Sequence, residues 1–147
     1  MIEFEFEEDR KFFENLILGS KDDSLEDYSM LFDFRHKEIK RREFNKIRNQ
    51  VFKELIAQDG LECQLHFDCC DENSGYAVDH LIPLTTNKLN KEIRKLPPEL
   101  KKKVVSQYFG SNQIYNLVIA CNNCNNFKKH KFPTKDLIQK ILKNRIK

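Results

Sequence analysis

Residues 114–129 read IYNLVIACNNCNNFKK. The stretch changes character twice within a few positions. Ile114 to Ala120 is apolar, β-branched and bounded by polar residues, the pattern of a short strand. Cys121-Asn122-Asn123-Cys124 then sets two thiols at the spacing that lets both bind one ion. A helix is expected to open near Asn125, carrying Lys128 and Lys129 three and four residues on, on the same face. A strand that runs through a cysteine knuckle into a helix needs a second cysteine pair and a second strand elsewhere.

Both stand upstream. Cys63 and the vicinal Cys69 and Cys70 form the other cysteine cluster, and Asn73-Ser74-Gly75 is a turn signal. Tyr76-Ala77-Val78 reads as a strand that runs into Asp79-His80-Leu81-Ile82 and stops at Pro83. The chain has five cysteines, an odd number that does not suit a disulfide framework and favours metal or reactive thiols. Soft sulfur ligands in tetrahedral array suit zinc. Cys63, Cys121 and Cys124 supply three ligands, and Cys70 or Cys69 the fourth, with His66 a distant third choice.

The flanks read as helices. Phe6, Phe13, Leu16 and Ile17 mark a helix within 3–18 that ends at Gly19, and 20–33 has room for a short one. From Asp33 to Gln58 an apolar stripe of Phe44, Ile47, Val51 and Leu55 runs beside Arg41, Arg42, Lys46, Arg48 and Lys53, and Asp59-Gly60 stops it. Residues 84–113 are an excursion between the strands, with Pro97-Pro98, a helix expected over 98–109 and Gly110 as its cap. After Phe132-Pro133 a last helix begins near Thr134 and buries Leu137, Ile138, Ile141 and Leu142. The fold class is therefore α+β: a helical region over 1–60, then a strand-and-knuckle unit over 61–147 that carries the excursion and a C-terminal helix.

The net charge of +3 over 147 residues conceals segregation. Residues 1–33 carry 3 basic and 11 acidic groups, 34–58 carry 8 and 3, 59–87 none and 6, and 88–147 carry 15 and 3. Basic blocks of this kind suit a polyanionic partner. No apolar run approaches the roughly 20 residues of a membrane span. The acidic start, MIEFEFEEDR, is unlike a signal peptide, so a cytoplasmic location is expected.

Asp79-His80 brings chemistry to the strand end. Aspartate offers hard oxygen to a magnesium-like ion, and histidine a base that titrates near neutrality. Neighbours on a regular strand point to opposite faces, so the two serve one site only where the strand ends or bends.

Cys63…Cys70…Val78-Asp79-His80-Leu81-Ile82-Pro83…Asn116-Leu117…Cys121-x-x-Cys124-Asn125-x-x-Lys128 resembles the HNH endonucleases, the ββα-metal nucleases, over about 61–131. The resemblance, which rests on the order of the motifs, implies a zinc-stabilised ββα-metal core that hydrolyses DNA phosphodiesters. It makes His80 the general base, Asp79 and Asn125 the ligands of one catalytic Mg2+ or Mn2+ ion, and Asn116 the residue that orients His80. It places Lys128, and with it Lys129, near a phosphate. It makes Cys63, Cys70, Cys121 and Cys124 the structural zinc ligands, with Cys69 as the alternative to Cys70. The excursion is long for the family, and the first cysteine pair is C-x6-C rather than CxxC. The implied partner is double-stranded DNA, and a homodimer suits cleavage of both strands. A non-catalytic zinc-stabilised DNA-binding module is the alternative. A third reading makes the acidic residues 1–33 a binding or inhibitory element.

Overall fold

The computed structural model describes residues 2–20, 22–94, 104–129 and 131–145. Among the described residues, five α-helices accompany a two-stranded antiparallel sheet: α1 (Glu7–Ile17), α2 (Lys37–Asp59), β1 (Tyr76–His80), α3 (Lys88–Glu92), β2 (Leu117–Cys121), α4 (Asn122–Lys128) and α5 (Lys135–Arg145). The fold is α+β. Among the described residues no helix is long and apolar enough to cross a membrane.

β1 and β2 pair with Tyr76 opposite Cys121 and His80 opposite Leu117. Every residue of β2 is buried, because both faces of the strand are covered. Leu117 and Ile119 face α2, packing with Phe44, Val51 and Leu55. Val118 and Ala120 face the larger core, which runs from Phe13 and Ile17 of α1 through Leu81 and Ile82 to Ile138, Ile141 and Leu142 of α5. The helical N-terminal region and the strand unit thus share one core. Two-residue alternation along β2 is what separates its two packing partners.

The acidic N-terminal block is part of this scaffold. Glu7, Glu8 and Asp9 stand in the first turn of α1, where the helix dipole favours negative charge. Asp9 is buried and takes a bidentate contact from Arg94 at 2.8 and 2.9 Å, with Gln107 Nε2 donating at 2.8 Å. Arg94 also donates to Glu8, and Arg10 pairs with Glu26. Residues 25–31 form tight 3-10 turns entered through a capping box of Ser24 and Asp27.

α2 starts at Lys37, later than its sequence pattern suggests, because Arg35 folds back onto Asp33 and His36 Nδ1 accepts from the Glu38 N–H at 3.1 Å. Its buried stripe is Lys40, Phe44, Val51 and Leu55, whereas Ile47 is exposed. Lys40 enters the stripe because three carbonyls meet its ammonium: Asp33 O at 2.6 Å, Gly110 O at 2.8 Å and Leu84 O at 3.3 Å.

The expected helix over 98–109 is not what the described part forms. Residues 95–103 lie outside the described residues, and 104–109 run extended. Gln107 exchanges backbone hydrogen bonds with Thr86 at 3.0 and 2.7 Å, and Phe109 O accepts from Asp33 N at 2.8 Å. Phe109 is buried against Phe13 and Phe4. Gly110 therefore caps no helix. It lies where its own backbone crosses Ile82-Pro83, and an added Cβ would sit 1.9 Å from Ile82 O.

Candidate metal centre and the hollow at the end of β1

The cysteines converge. Sγ atoms of Cys63, Cys70, Cys121 and Cys124 all lie within 4.8 Å of one another. A tetrahedral site with Zn–S bonds of about 2.3 Å separates its sulfurs by about 3.8 Å, and Cys121 and Cys70 are 3.8 Å apart. The four can hold a structural metal such as zinc. Burial alone would raise the Cys121 thiol. Backbone N–H groups of Cys124 and Asp71 overcome that and push it down to about 6. Burial and the Cys63 sulfur push Cys70 up to about 11, and burial also raises Cys124. Four thiolates this close repel one another, so a cation is what lets them ionise together.

Local folding selects Cys70 over Cys69. The Cys70 N–H donates to Phe67 O at 2.8 Å, closing a tight turn that aims Cys70 inward. Cys69 is exposed on the outside of the turn, with Sγ 3.6 Å from Asn123 O. His66 lies beside the cluster, Nδ1 3.8 Å from Cys70 Sγ, and its other nitrogen faces Glu62. The knuckle is already the first turn of a helix. Cys121 is the N-cap of α4, its Sγ accepting from the Cys124 N–H at 3.3 Å. α4 thus begins three residues ahead of Asn125, and the cysteine cluster ties its N-terminal end to the end of β2 and to the 63–70 segment.

A hollow of about 420 Å3 opens between α2 and α4 at the end of β1. Val78, Asp79 and His80 form its floor. Arg41, Phe44, Asn45 and Arg48 supply the α2 wall, Pro83, Leu84 and Thr85 the loop side, and Lys129 the α4 side. The strand ends at His80, and this is how neighbouring residues reach one space. The His80 ring packs edge-on to Phe44, centroids 4.8 Å apart, while the Asp79 carboxylate turns to α4.

Lys128 meets it there. Its ammonium, on a side chain only 1 % exposed, lies 3.1 Å from Asp79 Oδ2 and donates to His80 O at 2.6 Å. Sequence reasoning put this lysine toward a phosphate. The structure instead turns it inward, and leaves exposed Lys129, just past the helix end, to line the hollow. Burial pushes the Asp79 carboxyl up and the Lys128 ammonium down, and each partner opposes that shift in the other. Asp79 Oδ2 is buried without a well-directed hydrogen bond.

His80 is held well below the ordinary histidine value, at about 4. Burial is the main cause, opposed by the hydrogen bond to Asn112 and reinforced by Lys128, Lys40 and Arg41. Its ring is neutral at pH 7. Among the described residues Asn116 makes no hydrogen bond to that ring. It is fully buried and clamps the loop after it, Oδ1 accepting from Ile82 N at 2.8 Å and Nδ2 donating to Ile82 O at 3.1 Å and Ser111 O at 2.8 Å. Asn125 lines an adjoining hollow with Phe52, Tyr76 and Ala77, and that hollow shares Phe44, Arg48 and Val78 with the first. Asn125 and Asp79 therefore border neighbouring spaces.

Two functional candidates escaped sequence reasoning. Lys40 reads as one more solvated lysine, and Asn112 lies in the excursion with no motif around it. Only the burial of Lys40 on the stripe of α2 was there to be found, since Lys40 stands four residues before Phe44. Comparison with protein-family models, with curated proteins and with solved structures finds no match to this chain.

Proposed function

We propose that this chain is a metal-dependent endonuclease that hydrolyses DNA phosphodiester bonds, as its resemblance to the HNH nucleases implies. One juxtaposition carries the proposal: a neutral, half-buried histidine and a buried carboxylate share a hollow whose walls carry Arg41 and Arg48 of α2 and Lys129 at the end of α4. Zinc on Cys63, Cys70, Cys121 and Cys124 would be structural, since four thiolates leave no open coordination position.

Asp79 and Asn125 offer the hard oxygens that suit Mg2+ or Mn2+, and Asp79 already has an oxygen lacking a directed hydrogen bond. A divalent ion held there would neutralise charge on the phosphoryl group and the leaving oxygen. His80, uncharged at neutral pH, takes a proton from the attacking water. Lys128 favours the carboxylate form of the buried Asp79 against the effect of burial. Arg41, Arg48 and Lys129 bind phosphates flanking the scissile bond, which supports affinity and salt dependence without reading bases. Asn116 keeps the turn after His80 closed.

The test is incubation of zinc-loaded protein with supercoiled and linear DNA in Mg2+ or Mn2+. Cleavage is expected, and His80→Ala abolishes it while far-ultraviolet circular dichroism and zinc content stay unchanged. No cleavage of any DNA form across metals and pH overturns the proposal. A second reading, a non-catalytic DNA-binding module, draws on the Lys128 ammonium that already neutralises Asp79. Salt-sensitive DNA binding with no cleavage is its signature.

A further inference from the structure

We infer that Asn112 is a positioning residue that sets His80 as the Nε2–H tautomer and so leaves Nδ1 as the basic nitrogen. This assignment rests on the nuclease reading for its catalytic meaning, but its geometry stands without it.

The argument begins at Asn112's other end. Asn112 Nδ2 lies 2.7 Å from the backbone carbonyl of Lys40. A carbonyl oxygen only accepts, so the amide must present its NH2 there, and this choice orients the whole side chain. Oδ1 is then the atom 2.9 Å from His80 Nε2. An amide oxygen also only accepts, so Nε2 must carry the proton. In a neutral ring the second nitrogen, Nδ1, keeps the in-plane lone pair. Among the described residues Nδ1 makes no hydrogen bond, and the ring lines the hollow.

Both anchors are rigid. Lys40 sits inside α2, and its own ammonium is fastened to Asp33, Leu84 and Gly110. The segment bearing Asn112 is pinned just before it, where Gly110 N donates to Pro83 O at 3.0 Å and Ser111 N to Leu31 O at 2.9 Å, and just after it, where Asn116 N donates to Gln113 O at 2.8 Å. The Ser111 hydroxyl donates to Met30 O, and Ser111 O accepts from Asn116. The acidic N-terminal segment thereby reaches the histidine through Met30 and Leu31. Asn116 tightens the loop, and among the described residues Asn112 is the one that hydrogen-bonds the ring.

The proton transfer then balances as follows. The O–H bond of water breaks and its proton bonds to Nδ1. The electron pair left on oxygen forms the new P–O bond, and the leaving oxygen departs with the old pair. The resulting imidazolium still donates Nε2–H to Asn112 Oδ1, now as a charge-assisted and stronger bond.

The test is long-range 1H–15N correlation spectroscopy of the zinc-loaded protein at neutral pH, with the His80 signals identified by their loss in H80Q. Wild type is expected to show a pyrrole-type Nε2 and a pyridine-type Nδ1. Asn112→Ala should move His80 to a mixture of tautomers, whereas Asn112→Asp, which keeps an acceptor facing Nε2, retains the Nε2–H form. In the DNA cleavage assay Asn112→Ala should lower kcat by about tenfold to a hundredfold with KM unchanged. A protonated Nδ1 in the neutral wild-type ring overturns the inference without recourse to any variant, as does an Asn112→Ala spectrum identical to wild type. A protein that cuts no DNA yet shows the Nε2–H ring that Asn112→Ala releases removes the nuclease reading and leaves the hydrogen bond standing.

Discussion

Gly110→Ala should be among the most damaging single-methyl changes in this chain. The new Cβ would lie 1.9 Å from Ile82 O and 2.7 Å from Pro83 O, both backbone atoms, where real Cβ contacts under 3.0 Å essentially never occur. One strand of chain must therefore retreat by about 1 Å. Neither can do so cheaply. Ile82 is clamped at N and O by Asn116, Gly110 N donates to Pro83 O, and Gly110 O accepts from the buried Lys40 ammonium at 2.8 Å. Overpacking costs about 1–3 kcal/mol. Losing one neutral and one charge-assisted hydrogen bond adds about 2–4 kcal/mol. The sum, about 3–7 kcal/mol, is comparable with the whole stability of a domain, about 5–15 kcal/mol. Gly60 is the control. It ends α2 at φ 80 and ψ 169, and its Cβ would meet nothing within 4 Å. Gly60→Ala should cost only its backbone strain, about 1–3 kcal/mol. The chain has no tryptophan, so urea unfolding is followed by circular dichroism, at one fixed free zinc concentration because bound metal adds to apparent stability. A Gly110→Ala midpoint no lower than that of Gly60→Ala would refute the packing argument.

Metal content separates the vicinal cysteines: Cys70→Ser should lose stoichiometric zinc, while Cys69→Ser should keep it, as read by elemental analysis of the purified proteins. With metal bound, a thiol reagent should find only Cys69, the exposed one, and a strong chelator should make all five react as the fold loosens. Asn116→Ala leaves one N–H and two carbonyls of the buried loop without their partner, and about 3–4 kcal/mol of destabilisation is expected in thermal melts. His80 gives a pH signature. Its folded value, about 4, lies below the ordinary 6.5, so the unfolded chain takes the proton first as pH falls. Its burial costs nothing above pH 6.5, and stability declines from there until about pH 4. Urea midpoints across that window should fall less steeply for His80→Gln than for wild type, and equal slopes would count against a ring held neutral in the folded protein.

Much of the scaffold could be read from local pattern. The stripe of Phe44, Val51 and Leu55 announces α2, and Gly60 ends it at a positive φ. The apolar run before Cys121 becomes β2, and the apolar spacing after Pro133 becomes α5. Cysteine chemistry and spacing point to Cys63, Cys121 and Cys124 with Cys70 or Cys69 as one cluster, and the fold completes it with Cys70. Asp79, His80 and Asn116 were singled out for residue type and order, and the fold brings Asp79 and His80 into one hollow.

What failed did so for identifiable reasons. The pattern over 104–109 fits either period, and only pairing with Thr86 and the burial of Phe109 among other aromatic rings makes it extended. Ile47 looked like a core residue because hydrophobicity marks a face, not a neighbour, and Lys40 took a buried place because three carbonyls from distant segments converge on it.

By itself the amino-acid sequence determined the long helices, the two strands, the knuckle and the inventory of reactive groups, since propensity, periodicity and ligand chemistry act over a few residues. Tertiary structure alone decided which groups face each other. Cys70 rather than Cys69 points inward because a turn closes at Phe67. Lys128 rather than solvent meets Asp79 because α4 packs on β1. Asn112 rather than Asn116 meets the His80 ring because segments 32 residues apart cross over α2. Hydrogen bonds and ion pairs act over about 3 Å, and contacts that short between residues so far apart in the chain exist only once the core has brought them together.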